Sequence, residues 1–222
     1  MTVMPRHLVI FARTPQAGRV KRRLAREIGV LAATRFYCTM LETMLRRLAA
    51  DRRWTVWLFA TPDSSLGHPI WRGLRRRRQG SGDLGQRMRL PFDTLPPGPV
   101  VLVGSDIPAI RPHHIARAFS LLGHNDLVFG PASDGGYWLV GAKRLRPLPF
   151  TLFADVRWST PHALADTLAT IPAGYSVSLA ETLDDVDDAA DLRRFRATLR
   201  RRNSLGLRRR HQGTANRASS AH

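Results

Sequence analysis

The sequence predicts an α/β domain with a mostly parallel central sheet flanked by helices. Three observations carry that expectation. Continuous apolar runs, "HLVIFA" at 7–12, "WTVWLFA" at 54–60 and "VVLVG" at 100–104, suit strands buried on both faces. Stretches with helical apolar spacing separate them, and alternation of strand and helix favours a parallel sheet. The chain has 222 residues, enough for one good core.

The first strand leads into "RTPQAGRVKRRL" at 13–24, a loop marked by Pro15 and Gly18 that turns into a helix. From Leu24 to about Leu48 the apolar residues recur at helical spacing, and Gly29 divides this stretch into two helices. The second strand stops at Thr61-Pro62-Asp63. Within 64–80, "GLRRRRQG" fits either a short basic strand or a solvated loop. "DLGQRMRLPFDTL" at 83–95 opens a helix with Asp83 as its N-cap. "PPGP" punctuates before the strand 100–104, and "RPHHIARAFSLL" at 111–122 is an amphipathic helix. "DLVFG" and "YWLVGA" are strands around the turn "PASDGG". "STPHALADTLATI" at 159–171 reads as a helix with a Ser/Thr start and an early proline. "DDVDDAADLRRFRATLRRR" reads as a final helix with acids at its start and arginines at its end, matching the helix dipole. The folded domain is expected over 1–202, with 203–222 as a disordered basic tail lacking periodicity.

Composition narrows the classes. Cys38 is the single cysteine, which excludes a disulfide framework or a cysteine zinc site within one chain and fits a reducing compartment. The N-terminal apolar run is too short to span a bilayer and lacks a signal-peptide layout, so a cytoplasmic protein is expected. Lys and Arg number 35 against 17 Asp and Glu, a net charge of +18. Such a field attracts phosphates, although an arginine-rich composition with a basic tail also accounts for it. Only two of the basic residues, Lys21 and Lys143, are lysine.

Four stretches hold candidate chemistry. In "VGSDIP", Ser105 and Asp106 stand where a buried strand leaves the sheet, the end at which parallel sheets bind ligands. Asp106 reads either as a helix N-cap, although the following helix starts only near Arg111-Pro112, or as a metal ligand. A carboxylate there suits Mg2+ or Mn2+, hard cations that take carboxylate oxygens and often share substrate phosphates. The glycine-bearing loop from Arg13 through Gly18 reads either as presenting backbone N–H groups to a phosphate, with Arg13, Arg19, Lys21 and Arg23 adding charge, or as the solvated basic start of a helix. It matches neither the Walker A nor the GxGxxG pattern. In "ASDGGYWLVG", Asp134, Gly135 and Gly136 permit a tight hairpin turn or close ligand approach, and Tyr137-Trp138 follow directly. In "LDDVDDAADL", one acid caps the final helix, and Asp185 or Asp187 can complete a metal pair with Asp106.

Taken in order, "VIFARTPQAGRVKRRLA", "DLGQRM", "VGSDIP", "PASDGGYWLVG" and "LDDVDD" resemble the bacterial DUF2064 family over roughly residues 6–198. Members of that family look like GT-A type glycosyltransferases with a Rossmann-like domain. They are similar to nucleotidyltransferases of the molybdenum-cofactor guanylyltransferase and phospholactate guanylyltransferase kind. The resemblance implies a nucleotide-binding loop at Ala12–Leu24 with Lys21 and Arg23 near phosphates, and Asp106 at the metal-aspartate position. It places Asp134, Gly135, Gly136 and Tyr137 beside the donor or acceptor pocket. Asp83, at the head of "DLGQRM", and Ser105 join the expected nucleotide contacts. The chain departs from the family pattern at Arg22 (usually Thr), Gln86 (often Glu) and Ile107 (usually Cys).

The expected function is therefore a metal-dependent glycosyltransferase with a nucleotide-sugar donor. Asp106, Asp185 and Asp187 would hold Mg2+ or Mn2+, Lys21 would serve the phosphates, and Asp134 would act as the acceptor-side base. The nearest alternative is a nucleotidyltransferase releasing pyrophosphate. A nucleic-acid-binding module is a rival of another class, though no aromatic-basic interleaving or zinc-finger pattern supports it beyond non-specific contact through the tail. A degenerate, inactive family member is the fourth.

Overall fold

A computed structural model describes residues 4–198 and 200; the expected tail at 203–222 lies outside them. Seven strands, β1 His7–Arg13, β2 Thr55–Thr61, β3 Arg75–Arg78, β4 Val100–Gly104, β5 Leu127–Pro131, β6 Tyr137–Ala142 and β7 Val177–Leu179, form one sheet in the order β3-β2-β1-β4-β6-β5-β7. β1 pairs in parallel with β2 and β4, β2 with β3, and β5 with β7. β6 alone runs antiparallel to both neighbours, because the "PASDGG" turn folds it back on β5 as a hairpin. The mostly parallel α/β sheet is the one the sequence predicts.

The helices are α1 Arg22–Ile28, α2 Val30–Ala49, α3 Leu84–Thr94, α4 Pro112–Leu121 and α5 Ala163–Ala169, with helical residues again at 189–198, here α6. Alternation along β1 explains the layering. Leu8, Ile10 and Ala12 pack in one cluster with Leu41, Met44 and Leu48 of α2 and Ile115 and Phe119 of α4. Val9 points the other way and joins Phe59 of β2 and Met88 and Phe92 of α3. A third cluster, Leu24, Ala33, Val186, Ala189 and Leu192, fastens the α1–α2 pair to α6. Burying a side chain such as Leu41 or Phe59 completely contributes roughly 1.5–3 kcal/mol each.

Several local expectations are met with a visible cause. Gly29, at φ 87°, separates α1 from α2. Asp83 caps α3 by accepting the Gln86 amide at 2.8 Å, and the Gln86 side chain accepts the Asp83 amide at 3.0 Å. This capping box satisfies two otherwise orphaned N–H groups. "RRRR" is a strand, β3, fully exposed at the sheet edge.

Other elements differ from the reading. The helix expected from Ser159 begins only at Ala163. The preceding residues are held against the hairpin turn: the Leu164 amide donates to the Gly135 carbonyl at 3.0 Å, and a Cβ on Gly135 would meet the Pro161 carbonyl oxygen at 2.1 Å. The final helix starts at residue 189, after most of the acids. Asp188 caps it by accepting the Asp191 amide, while Asp184, Asp185 and Asp187 lie in an irregular segment before it. Strand β7 is short, mostly exposed and preceded by Gly174, so no apolar run announces it.

Candidate active site

The carboxyl ends of β1, β2 and β4 open into a cleft of about 720 Å3, and a second lobe of about 370 Å3 adjoins it toward the β5–β6 hairpin. Leu84, Gly104, Asp106 and Ser159 line both, so Asp106 stands at the junction.

Asp106 follows β4 directly, and the α4 N-cap is Arg111, so Asp106 caps no helix. Lys21 comes from the N-cap of α1, in the left-handed region at φ 46°, a conformation that costs a non-glycine residue about 1–2 kcal/mol. That backbone brings its ammonium to Asp187 Oδ1 at 2.8 Å and Asp106 Oδ1 at 3.2 Å. The Lys21 side chain is only 3% exposed, while the two carboxylates are about half exposed. Burial works to lower the Lys21 pKa, but the carboxylates of Asp106 and Asp187 together outweigh it and hold the group above its usual value.

The 180–187 segment delivers the acids. It runs along strand ends, with the Ala180 amide on the Phe129 carbonyl, Leu183 on Pro131 and Val186 on Asp106 at 3.3 Å. Asp187 thereby lines the main cleft and Asp185 the second lobe. Burial, then the nearby charges of Asp187, Asp134 and Asp106, push the Asp185 carboxyl up to about 6, against the opposing pull of Lys21. Four acids thus converge from three distant segments.

A buried frame supports them. The Tyr37 hydroxyl of α2 donates to the Arg13 carbonyl at 2.7 Å and lies 3.2 Å from Ser105 Oγ, tying the ends of β1 and β4 together. Burial, reinforced by Asp106, keeps that phenol protonated well above the usual range. The Gln79 side-chain amide donates to the carbonyls of Phe59 and Ala12 at the ends of β2 and β1. Its oxygen accepts from Arg87 Nη1 at 3.1 Å, holding that guanidinium at the cleft.

Of the residues singled out from sequence, Ala12, Arg13, Lys21, Arg23, Ser105, Asp106 and Asp187 line the main cleft. Asp134, Gly136, Tyr137 and Asp185 line the second lobe. Gly18, Asp83 and Gly135 line neither; Asp83 is spent on capping α3 and Gly135 on the close approach of Pro161. Sequence reasoning missed Tyr37, Gln79, Arg87, Met88 and Trp158. For Arg87 a signal existed: four residues after the cap Asp83, it returns to the cleft side of α3. Tyr37 and Gln79 read as core and loop.

The mostly parallel sheet with a cleft at its strand ends is a fold shared with nucleotide-sugar transferase-like structures. Residues 44–160 match the family model described as "Uncharacterized protein conserved in bacteria (DUF2064)", and the chain belongs to that family. Among solved structures it is similar to a "putative nucleotide-diphospho-sugar transferase" from Desulfovibrio desulfuricans G20, with 28% identity, 85% of each chain covered and a TM-score of 0.74. A CMP:2-keto-3-deoxy-manno-octonic acid synthetase complexed with CTP shares the fold at 13% identity, covering 90% of this chain and 100% of that one, with a TM-score of 0.57. So does Rv0371c of Mycobacterium tuberculosis H37Rv in complex with manganese, at 17% identity, 87% and 98% coverage and a TM-score of 0.51. No curated protein matches the chain. Among the described residues no helix is long and apolar enough to cross a membrane.

Proposed function

We propose that the protein is a nucleotide-binding transferase, and that its reaction is glycosyl transfer from a nucleotide sugar. The observation that carries this reading is the junction itself. Asp106, fixed by Lys21, stands between a lobe rich in cations and a lobe walled by aromatic rings and carboxylates.

The diphosphate of the donor would lie in the main cleft against Arg13, Arg19, Arg22, Arg23 and Arg87, where guanidinium groups pair well with phosphate oxygens. Arg22, standing where the family pattern has Thr, faces the cleft and adds a cation to it. Lys21 is committed to Asp106 and Asp187, so its part is to hold those carboxylates in place. Preorganised charge of this kind costs no rearrangement as the bond breaks.

The donor set suits a divalent cation. Asp106 and Asp185 line the same lobe, and burial, with the neighbouring acids adding to it, keeps Asp185 reluctant to ionise. Asp106 with Asp185 or Asp187 would hold the ion, and the manganese-bound fold relative is in keeping with that. Bound there, Mg2+ or Mn2+ supplies positive charge to a leaving diphosphate.

In the transfer, an acceptor hydroxyl in the second lobe bonds to the sugar carbon. The carbon–oxygen bond to the diphosphate breaks, and its electron pair leaves on the diphosphate oxygen. Asp134 takes the hydroxyl proton: its Oδ1 accepts the Gly136 amide at 2.9 Å, which orients the carboxylate.

The second reading, nucleotidyl transfer with pyrophosphate release, is favoured by the CTP-bound relative. A thermal-shift panel tests the choice of ligand. Nucleoside-diphosphate sugars and the matching NTPs are compared with and without Mn2+; a ligand at about 100 times its dissociation constant adds roughly 2.7 kcal/mol. Stabilisation by a nucleotide sugar supports glycosyl transfer. Stabilisation by NTPs alone moves the assignment to nucleotidyl transfer, and no shift with either class contradicts both.

A further inference from the structure

The two lobes that meet at Asp106 carry opposite charge. The main cleft is lined by Arg13, Arg19, Lys21, Arg22, Arg23 and Arg87 against Asp106 and Asp187. The second lobe is lined by Asp106, Asp134 and Asp185, with no Lys, Arg or His among its lining residues. From this segregation we infer that the second substrate carries neither phosphate nor carboxylate: it is a polyhydroxylated ring compound, neutral or amine-bearing. The inference rests on the transferase reading above and specifies its second substrate.

Three features agree. The hydrogen-bonding groups of the lobe are mostly acceptors. Carboxylates take hydrogen bonds, so a ligand held there must bring O–H or N–H donors; a phosphate or carboxylate brings further acceptors and like charge. The Trp138 tip is already used, its Nε1 donating to the Glu181 carbonyl at 2.9 Å, and the Tyr137 hydroxyl oxygen accepts from Thr167 Oγ1 at 3.4 Å. Tyr137, Trp138 and Trp158 also offer ring surface, which suits the C–H faces of a sugar ring or an ammonium group. The volume, about 370 Å3, holds one small ligand.

The test uses the full chain and follows the fluorescence of its tryptophans, two of which line the lobe. Pyrophosphate with Mn2+ is titrated first; its binding tests the cationic cleft alone. With pyrophosphate saturating, or without it where it fails to bind, hexoses and hexosamines are titrated beside their phosphates and uronic acids. The expected result is that an unphosphorylated member binds at least tenfold tighter than its phosphate or uronate, and that Asp134→Arg removes or inverts that ratio. Equal or tighter binding of the phosphorylated members overturns the inference, as does failure of every sugar to bind. Failure of pyrophosphate alone counts against the transferase reading and leaves the sugar comparison standing on its own.

Discussion

Lys21 and Asp187, 166 residues apart in the chain, meet at 2.8 Å at the mouth of the β-sheet. The contact joins the first loop after β1 to the last segment before α6, and Asp106 completes it from β4. The site therefore forms only when β1, β4 and the 180–187 segment have come together.

Replacing Lys21 with Met keeps the buried stem and removes the charge. Asp106 and Asp187 are then left facing each other without a cation, but each is about half exposed, so water moderates the penalty to about 1–2 kcal/mol. Chemical denaturation should show that loss. Nucleotide affinity should fall at least tenfold, because the acids are no longer held. Unchanged affinity contradicts the role given to Lys21.

Asp185 gives a pH signature. Its carboxyl titrates near 6 in the folded chain and near the usual carboxylate value when unfolded. Folded protein thus binds the proton more readily, and the group costs stability as pH rises through that window. In metal-free protein, Asp185→Asn should stabilise by about 1 kcal/mol at pH 8, discounted for partial exposure, and by nothing measurable at pH 4. Melts at the two pH values check this. A variant equally shifted at both assigns the effect to packing.

Gln86 stands where the resembled family often has Glu, and the structure gives the departure a plain role. The Gln86 side-chain oxygen accepts the Asp83 amide, a task either residue performs. Gln86→Glu should leave stability within about 0.5 kcal/mol, whereas Gln86→Ala should cost about 0.5–1 kcal/mol. A large loss in the Glu variant would show that the amide nitrogen also matters.

Gly135 sits at φ 84°, with no room for a Cβ against the Pro161 carbonyl. Gly135→Ala should destabilise by well over about 1 kcal/mol, since both the backbone conformation and the contact oppose it. Because that contact pins the segment bearing Ser159 and Thr160 to the second lobe, sugar binding should weaken with it. A stable Gly135→Ala protein would mean the hairpin tip can move away without cost.

How much was legible in the sequence follows from what each feature depends on. β1, β2 and β4 were readable because burial on both faces writes continuous apolar runs. The α1–α2 break and the α3 cap were readable because Gly29 and Asp83 act within a few residues. β7 was not, since an exposed three-residue strand takes its form from β5 rather than from its own residues. The start of α5 was misplaced because Pro161 is fixed by Gly135 across the chain, a tertiary constraint stronger than the Ser/Thr signal. Asp106 stood out by position alone. That Lys21 would clasp it, that Gln79 would hold Arg87, and that Asp185 and Asp187 would face different lobes depended on which strand ends become neighbours.

The measurement that tests the central claim most directly is identification of the released product by phosphorus NMR. The donor class that stabilises the protein is incubated with the sugars that bind the second lobe, for wild type and for Asp106→Ala. The account predicts a free nucleoside diphosphate from wild type and none from Asp106→Ala, whose fold persists because Asp106 is half exposed, caps no helix, and leaves Lys21 its closer partner Asp187. Pyrophosphate as the product, or undiminished turnover in Asp106→Ala, would contradict it.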